Sequence, residues 1–346
     1  MIIQHQLQRS VGTHDGTFHC DESLACYMLT RHTKQYYNYS IIRTRNNELI
    51  NKLPIVVDVG AVYNVNLYRF DHHQRTFNET FDDKHDVKLS SAGLIYKHYG
   101  IEIIGSIITR HNKLNNIDAE IDEHDVKLIH LQVYDNFIQA IDGIDNGIPQ
   151  YNTASPPNYK SMTDISSRVA ALNPSWNQPS DDNILYKQFL KAVELTGAEF
   201  SDCVIYMYNV WLPARNIVLN SFQNRLNIHP SGEILLLDQY TVWKSHIFQI
   251  ESEYNCIGEI KYVIYGDPNN TYRVQCMPLN DSGFDNRLSL PEQWRGIRDQ
   301  QLSQLTGIPD CVFVHATGFI GGNQTKQGAL QMASKSLELA QRNKNI

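Results

Sequence analysis

The sequence predicts an α/β protein: a mainly parallel-sheet domain followed by a second, smaller α+β domain. Three observations predict it. The first 150 residues alternate short apolar runs with helical patterns, as parallel βαβ units do. From about residue 164 to 227 the pattern is helical, and after "HPSGEILLLD" it becomes strand-rich. At 346 residues the chain exceeds one typical domain.

In chain order, "DESLACYMLTRH" follows a glycine-containing loop and predicts a helix. Asp21 stands at or near its start, where a carboxylate complements exposed N–H groups. "LPIVVDVG" is a compact apolar run ending in Asp-Val-Gly, which predicts a buried parallel strand. In "YRFDHHQR", Tyr68 and Phe70 are expected to face the core and carry Asp71, His72 and His73 outward. "LSSAGLIYKHYG" predicts a helix with Ser90 or Ser91 as cap and Gly100 as stop. The run Tyr36-Tyr37-Asn38-Tyr39 reads as surface packing and "HNKLNNIDAEIDEHD" as a solvated helix face. Helical stretches follow in "DISSRVAALNP", "NILYKQFLKAVELTGAEF" and "CVIYMYNVWLPARNIVLNSFQNRL", broken by Pro174 and "NQPSDD". "EILLLD", "YVIYGD", "YRVQCMP" and "CVFVHAT" predict strands, and "TKQGALQMASKSLELAQRN" a closing helix. The expected division is 1–200, a helical linker at 201–228, and 229–346, with a ligand cleft between the two domains.

Composition narrows the class. The 42% hydrophobic content is that of a globular protein. No run of about 18 apolar residues predicts a membrane span. The N-terminal stretch "MIIQHQLQRSVGTHDG" shows no secretory or mitochondrial leader pattern, so an intracellular protein of cytoplasm, nucleus or mitochondrion is expected. Six scattered cysteines without a Cys-x-x-Cys pair point to free thiols rather than a zinc–thiolate cluster. A net charge of -7 argues against a broad nucleic-acid-coating surface but allows a local basic cleft. Nothing in the pattern marks an oligomeric state.

Four segments carry chemistry. "THDGTFHCDES" places His14, His19 and Asp21 on a turn entering a helix, where side chains can converge. Asp58 ends an apolar strand, at the edge where open α/β sheets bind ligands. Asp71, His72 and His73 are adjacent, so in extended chain their side chains alternate in direction. In "AIDGIDNGI", Asp142 and Asp145 share a face at i, i+3, and one of the two belongs with the others. Each has a plainer reading: a polar loop with capping histidines, an Asx turn, a solvated helix end. Four such coincidences in one chain are the less economical account. Together the segments supply imidazoles and carboxylates suited to two divalent cations, Mn²⁺ first, with Mg²⁺, Co²⁺ or Zn²⁺ possible. Two metals about 3.5–4 Å apart suit phosphoryl transfer.

The ordered set "GTHDGTFHCDESLA", "VVDVG", "RFDHHQRTF", "KLSSAGLIY" and "IDGIDNG" resembles the DHH phosphoesterase superfamily. Within it the chain closely resembles the melanocyte-proliferating-gene family of metal-dependent 3′–5′ RNA exonucleases. The likeness continues through "SSRVAALNPSWN", "WLPAR", "HPSGEI", "LPEQWRGIRDQ" and "CVFVHATGFIGGNQTKQGAL", nearly the whole chain. The resemblance implies that Asp58 bridges two metals, that His14 and His19 bind one, and that Asp21, His72 and Asp142 or Asp145 bind the other. It implies that His73 touches phosphate and that Asp71 orients a histidine. The first motif is one residue longer than the superfamily's usual His-x3-Asp-x-Asp, with His19 for the first Asp. It also implies a substrate-binding C-terminal domain. There Gly318, Gly321 and Gly322 would let backbone amides approach a phosphate, with His315, Arg273 and Arg287 adding contacts. In the first domain Arg75, four residues past Asp71, is placed to add a further phosphate contact. Trp294 and Arg295 are read either as a base clamp or as a structural anchor. Arg168, Asn173 and Trp176 are read either as near the cleft or as buried and structural.

The expected activity is a metal-dependent phosphodiesterase, a 3′–5′ exoribonuclease acting on RNA or short oligonucleotides in RNA processing. A small-molecule phosphoesterase is the alternative within the same chemistry. A metal-stabilised RNA-binding scaffold is the alternative outside it.

Overall fold

The structure is a computed structural model that describes residues 7–152, 158–280, 283 and 285–344. The first six residues of the stretch read for a leader lie outside these. The chain divides into two compact units, residues 1–209 and 210–346.

In the first unit, strands β1 (Ser10–Thr13), β2 (Ser40–Arg43), β3 (Ile55–Val57), β4 (Tyr63–Asn64) and β5 (Arg69–Phe70) form one sheet in the order β2-β1-β3-β5-β4. All its pairs are parallel except β4 with β5. The run Ile55-Val56-Val57 is buried throughout because the strand is central, with elements covering both faces. Helix α1 (Cys20–His32) follows β1, and α2 (Asn47–Ile50) precedes β3. The remaining helices are α3 (Ser91–Leu114), α4 (Glu123–Val133), α5 (Gln139–Asp145), α6 (Ile165–Ala170) and α7 (Asp182–Tyr206). α1 packs on both α3 and α7.

Several expectations are corrected here. Gly100 does not stop α3, which runs on to Leu114. Ile103, Ile104, Ile107 and Ile108 keep the helical period and are buried. Gly100 instead lets α4 approach, since a Cβ there would lie 2.4 Å from His130 Nε2. Tyr68 does not face the core. It takes a left-handed conformation (φ 54°) and is 39% exposed, whereas Phe70 is fully buried. Tyr36 of the tyrosine run is buried against Tyr39, Tyr68 and Tyr99. Only His111–Leu114 of the expected solvated stretch continues α3, and residues 117–122 are irregular.

In the second unit, helices α8 (Leu212–Gln223) and α9 (Arg225–Ile228) precede strand β6 (Ile234–Leu236). Then come α10 (Lys244–Glu253), β7 (Tyr262–Gly266), β8 (Tyr272–Cys276), α11 (Asp299–Thr306), β9 (Cys311–Val314), β10 (Ile320–Asn323) and α12 (Lys326–Lys344). The sheet order is β6-β7-β8-β10-β9, antiparallel except for β6 with β7. Val218 and Phe222 of α8 pack with Leu235, Trp243, Ile247 and Ile250, so this helix belongs to the second unit's own core. Trp294 also packs in that unit's core, with Leu290, Val314 and Met332. Burial at 2% exposure removes it as a base clamp. All six cysteines are unpaired. Among the described residues no helix is long and apolar enough to cross a membrane.

Candidate metal centre

β1, β3 and β5 run in one direction, so their C-terminal ends meet at one edge, where open α/β sheets receive ligands. His14 follows β1, Asp58 follows β3, and Asp71-His72-His73 follows β5. The register pairs Gly12 with Val56 and Val57 with Phe70, which brings these side chains out together. Asp58 holds a left-handed backbone conformation (φ 56°), which non-glycine residues adopt at some cost and mostly where function requires it. α1 begins at the same edge. His19 is its N-cap, and the Glu22 carboxylate accepts the His19 N–H at 2.9 and 3.0 Å. Asp21 lies in the first turn of α1, and Asp145 is the last residue of α5.

The two oxygens of Asp58 face different histidines. Oδ2 lies 3.3 Å from His14 Nε2, and Oδ1 lies 3.3 Å from His72 Nε2. His14 Nε2 is also 3.1 Å from Glu22 Oε1, and His72 Nε2 is 3.1 Å from Asp145 Oδ2. Three groups each bring their donor atoms within 4.8 Å of one another: His14, His19, Glu22 and Asp58; Asp58, His72 and His73; Asp21, His72 and Asp145. Shared members join the three into one cluster around Asp58. Each buried histidine is oriented from behind. His14 Nδ1–H donates to the Asp15 carbonyl at 2.9 Å, and His72 Nδ1–H donates to Asn146 Oδ1 at 3.3 Å. Both bonds turn Nε2 toward the carboxylates. Ser91 donates its N–H to Asp21 Oδ2 at 3.3 Å and its hydroxyl to Asp58 Oδ1 at 3.3 Å.

The electrostatics are those of crowded carboxylates neutralised by protons. Burial lowers His14, but Asp58 and Glu22 outweigh it and raise its pKa to about 10. Burial likewise lowers His72, while Asp145 and Asp58 raise it to about 10. Burial raises Asp58, yet His14 and His72 hold it well below the usual carboxylate range. Asp21 is pushed far upward, first by burial and then by the charges of Asp58, Asp145 and Glu22. Asp21 Oδ1 and His72 Nε2 are buried without any hydrogen-bond partner. A buried imidazole nitrogen close to two carboxylates but aligned with neither suits a ligand that shares them with a cation. The mixed nitrogen and oxygen donors fit Mn²⁺, Co²⁺ or Zn²⁺ better than an all-oxygen Ca²⁺ site. Cys20, the nearest thiol in the chain, is pushed up to about 12 by burial and remains a thiol.

The Asp-His-His triplet divides. The His72 side chain is 5% exposed and the His73 side chain 61%. Asp71 Oδ1 accepts from His73 Nδ1–H at 2.8 Å and from the His73 backbone N–H at 3.1 Å, and Asp71 Oδ2 accepts from Ala61 N–H at 2.6 Å. The Asp71 bond raises the pKa of His73, so its ring holds a proton to higher pH than a free histidine. His73 Nδ1 also lies 3.5 Å from Asp58 Oδ1.

His14, His19, Asp21, Asp58, His72, His73 and Asp145 therefore come together, Asp71 joins them through His73, and Arg75, two residues after His73, is exposed. Asp142 does not join them. Its Oδ1 accepts from Ser90 N–H at 2.9 Å, Ser90 Oγ at 2.7 Å and Gly93 N–H at 3.1 Å, which caps α3. Between the two aspartates that spacing left open, the cluster thus takes Asp145. Glu22 is the residue that sequence reasoning passed over. Its signal was the capping-box spacing of three residues after His19, which accounts for the carboxylate as a cap and hides it as a ligand.

The residues read as substrate contacts in the second unit sit as follows. Gly321 and Gly322 lie in β10, buried and paired on both sides, not in an amide-presenting loop. A Cβ at Gly321 would meet Leu290 Cδ1 at 2.9 Å, and one at Gly322 would meet Arg273 Nη1 at 2.6 Å, so close packing explains both glycines. Gly318 (φ 75°) closes the turn from β9 to β10, donating its N–H to the carbonyl of the exposed His315 at 2.8 Å. Arg273 pairs with Asp267 and lies over Phe313. Arg287 pairs with the buried Glu251 at 2.7 Å and also donates to the Ile260 and Pro278 carbonyls, which occupies it structurally.

Fold and site define a two-unit α/β protein whose first unit carries a histidine–carboxylate centre able to hold divalent metal ions. A family model described as "Uncharacterised protein family (UPF0160)", MYG1_exonuc, matches residues 10–337. The chain is 48% identical over 328 residues to the MYG1 protein of Dictyostelium discoideum, covering 95% of this chain and 96% of that one. It is 43% identical over 333 residues to the mouse protein named MYG1 exonuclease, covering 94% and 84%, and 41% identical to its human counterpart, covering 94% and 85%. The chain belongs to the MYG1 family.

Proposed function

We propose that this protein is a divalent-metal-dependent phosphodiesterase that removes nucleotides from the 3′ ends of RNA. The observation that carries the reading is Asp58, whose two carboxylate oxygens face His14 and His72 separately, as a carboxylate shared by two cations must. The name MYG1 exonuclease on the mouse and human relatives supports a nucleic-acid substrate. His14, His19 and Glu22 would hold one ion, and Asp21, His72 and Asp145 the other, with Asp58 between. When bound, such ions lower the pKa of water and stabilise charge on a phosphoryl group. Manganese is the first candidate for the carboxylate-rich part of the set, and the imidazoles bring cobalt and zinc in as alternatives.

The protein's own groups do the rest. Asp71 fixes the ring plane of His73 and favours its protonated form, in which Nε2–H can donate to a phosphoryl oxygen. The Asp15 and Asn146 oxygens hold His14 and His72 in the tautomer that directs Nε2 inward. Burial of Asp21, Asp58 and His72 keeps bulk water from screening the site. Purified protein incubated with a 5′-labelled single-stranded RNA should release nucleotides stepwise from the 3′ end with Mn²⁺ and stop with EDTA. Absence of release with Mn²⁺, Mg²⁺, Co²⁺ and Zn²⁺, on dinucleotide and 20-mer alike, would sink the proposal.

A further inference from the structure

We infer that Trp176 is a base-stacking residue for single-stranded nucleic acid, held beside the histidine–carboxylate centre by Asn173; the inference rests on the nucleic-acid reading above. The chain has four tryptophans. Trp211, Trp243 and Trp294 are 3%, 3% and 2% exposed, whereas Trp176 is 97% exposed. The sequence allowed a buried structural role for Trp176, and that exposure rules it out. Indole is the largest apolar surface a side chain offers, and leaving it in water forgoes the stabilisation its burial would give.

The loop that carries Trp176 is built. Gln178 donates its N–H to the Ser175 carbonyl at 2.9 Å, and its Oε1 accepts the Ser175 N–H at 2.8 Å. Trp176 stands at the tip of this closed turn. Asn173, three residues earlier, is clamped to the centre's own loop. Its Oδ1 accepts the Phe18 N–H at 3.0 Å, and its Nδ2–H donates to the Phe18 carbonyl at 2.9 Å. Phe18 is fully buried and directly precedes His19. The preceding helix α6 packs on α1, which begins at Cys20. Three residues span at most about 11 Å, so the backbone of Trp176 stays within that distance of Asn173. A flat π surface fixed there and open to solvent suits an unpaired base, because stacking tolerates any base and needs no charge from the loop. A protein partner is the competing occupant, and the test separates the two.

Because the other three tryptophans are buried, quenching of intrinsic fluorescence by acrylamide reports on Trp176. The probe is a ten-nucleotide single-stranded RNA with phosphorothioate linkages, added with Mn²⁺. The expected result is quenching of Trp176 emission and its protection from acrylamide on binding. Trp176→Ala should bind the RNA about 5- to 100-fold more weakly, the range for loss of one stacked base. Trp176→Phe should recover most of the affinity, and an abasic version of the RNA should bind wild type no better than Trp176→Ala binds the parent. Equal RNA affinity of Trp176→Ala and wild type would overturn the stacking role and leave the nuclease reading standing. Full acrylamide access to Trp176 in the saturated complex would overturn it in favour of a protein partner. No binding of the RNA by wild type would overturn both.

Discussion

Asp71, His72 and His73 differ in surroundings although they are neighbours in sequence. Alternation along an extended chain sends His72 into the cluster, where its Nε2 lies between Asp58 and Asp145, and leaves His73 at the surface on Asp71. His72→Ala should therefore weaken Mn²⁺ binding tenfold or more, at least the loss seen when only an outer-shell partner is removed. His73→Ala should leave metal stoichiometry intact and lower turnover roughly 100-fold, as removal of one donor to a developing charge does. Metal analysis beside single-turnover kinetics checks both, and equal metal loss in the two variants would refute the division. That the two histidines point in different directions is legible from "DHH" alone, but which of them enters the cluster is not. Nor is the role of Glu22, because a carboxylate three residues into a helix is fully explained as a cap until His14 is seen 3.1 Å away.

At the scale of elements, helices meet the site and each other at points where a side chain is missing or shared. α1 and α7 approach so closely at Gly197 that a Cβ there would lie 2.0–2.2 Å from the Tyr27 ring. Gly197→Ala should cost about 1–3 kcal/mol of stability, because neither the ring nor the helix backbone can yield without displacing α1, as overpacked cores show. Urea denaturation measures it, and an unchanged midpoint would contradict the close approach. Asp142 caps α3 from α5, and burial, outweighing the Ser90 and Gly93 hydrogen bonds, lifts its pKa from 3.8 to about 7. Below pH 4 it is protonated in both folded and unfolded chains. As pH rises from about 4 to 7 the unfolded chain loses this proton while the folded chain keeps it, so stability falls across that window. Asn keeps the accepting oxygen and does not titrate. The stability of Asp142→Asn relative to wild type should then rise over that window, by on the order of 4 kcal/mol. Parallel pH profiles would show that Asp142 does not titrate there.

For the molecule as a whole, the two units have separate cores and separate sheets. All the residues of the histidine–carboxylate cluster belong to the first unit. Without cations that unit holds several buried carboxylates whose mutual repulsion is relieved by protons, on His14 and His72 and through the upward shift of Asp21. Mn²⁺ at 100 times its Kd should stabilise the first unit by about 2.7 kcal/mol through mass action alone. The expected calorimetric result is an upward shift of one unfolding transition and none in the other, reversed by EDTA. A shift of both transitions, or of neither, would count against a metal site confined to residues 1–209.

The sequence by itself determined the two sheet types, the helical stretch between them and most of the cluster. Each of these is written in local pattern: apolar runs such as "IVV", helical periods, and ionisable residues set directly after strands. The tertiary structure decided what depends on partners distant in the chain. Ser90 and Gly93 claim Asp142 and leave Asp145 to the centre. His130 turns Gly100 from a helix stop into a crossing point. Strand pairing on both edges makes β10 of the glycines expected to form a phosphate loop. Asn173 bonds the Phe18 backbone, 155 positions earlier in the chain. Local sequence sets each residue's backbone preference and polarity, but which neighbour satisfies a carboxylate or fills the space over a glycine is settled only when the elements pack.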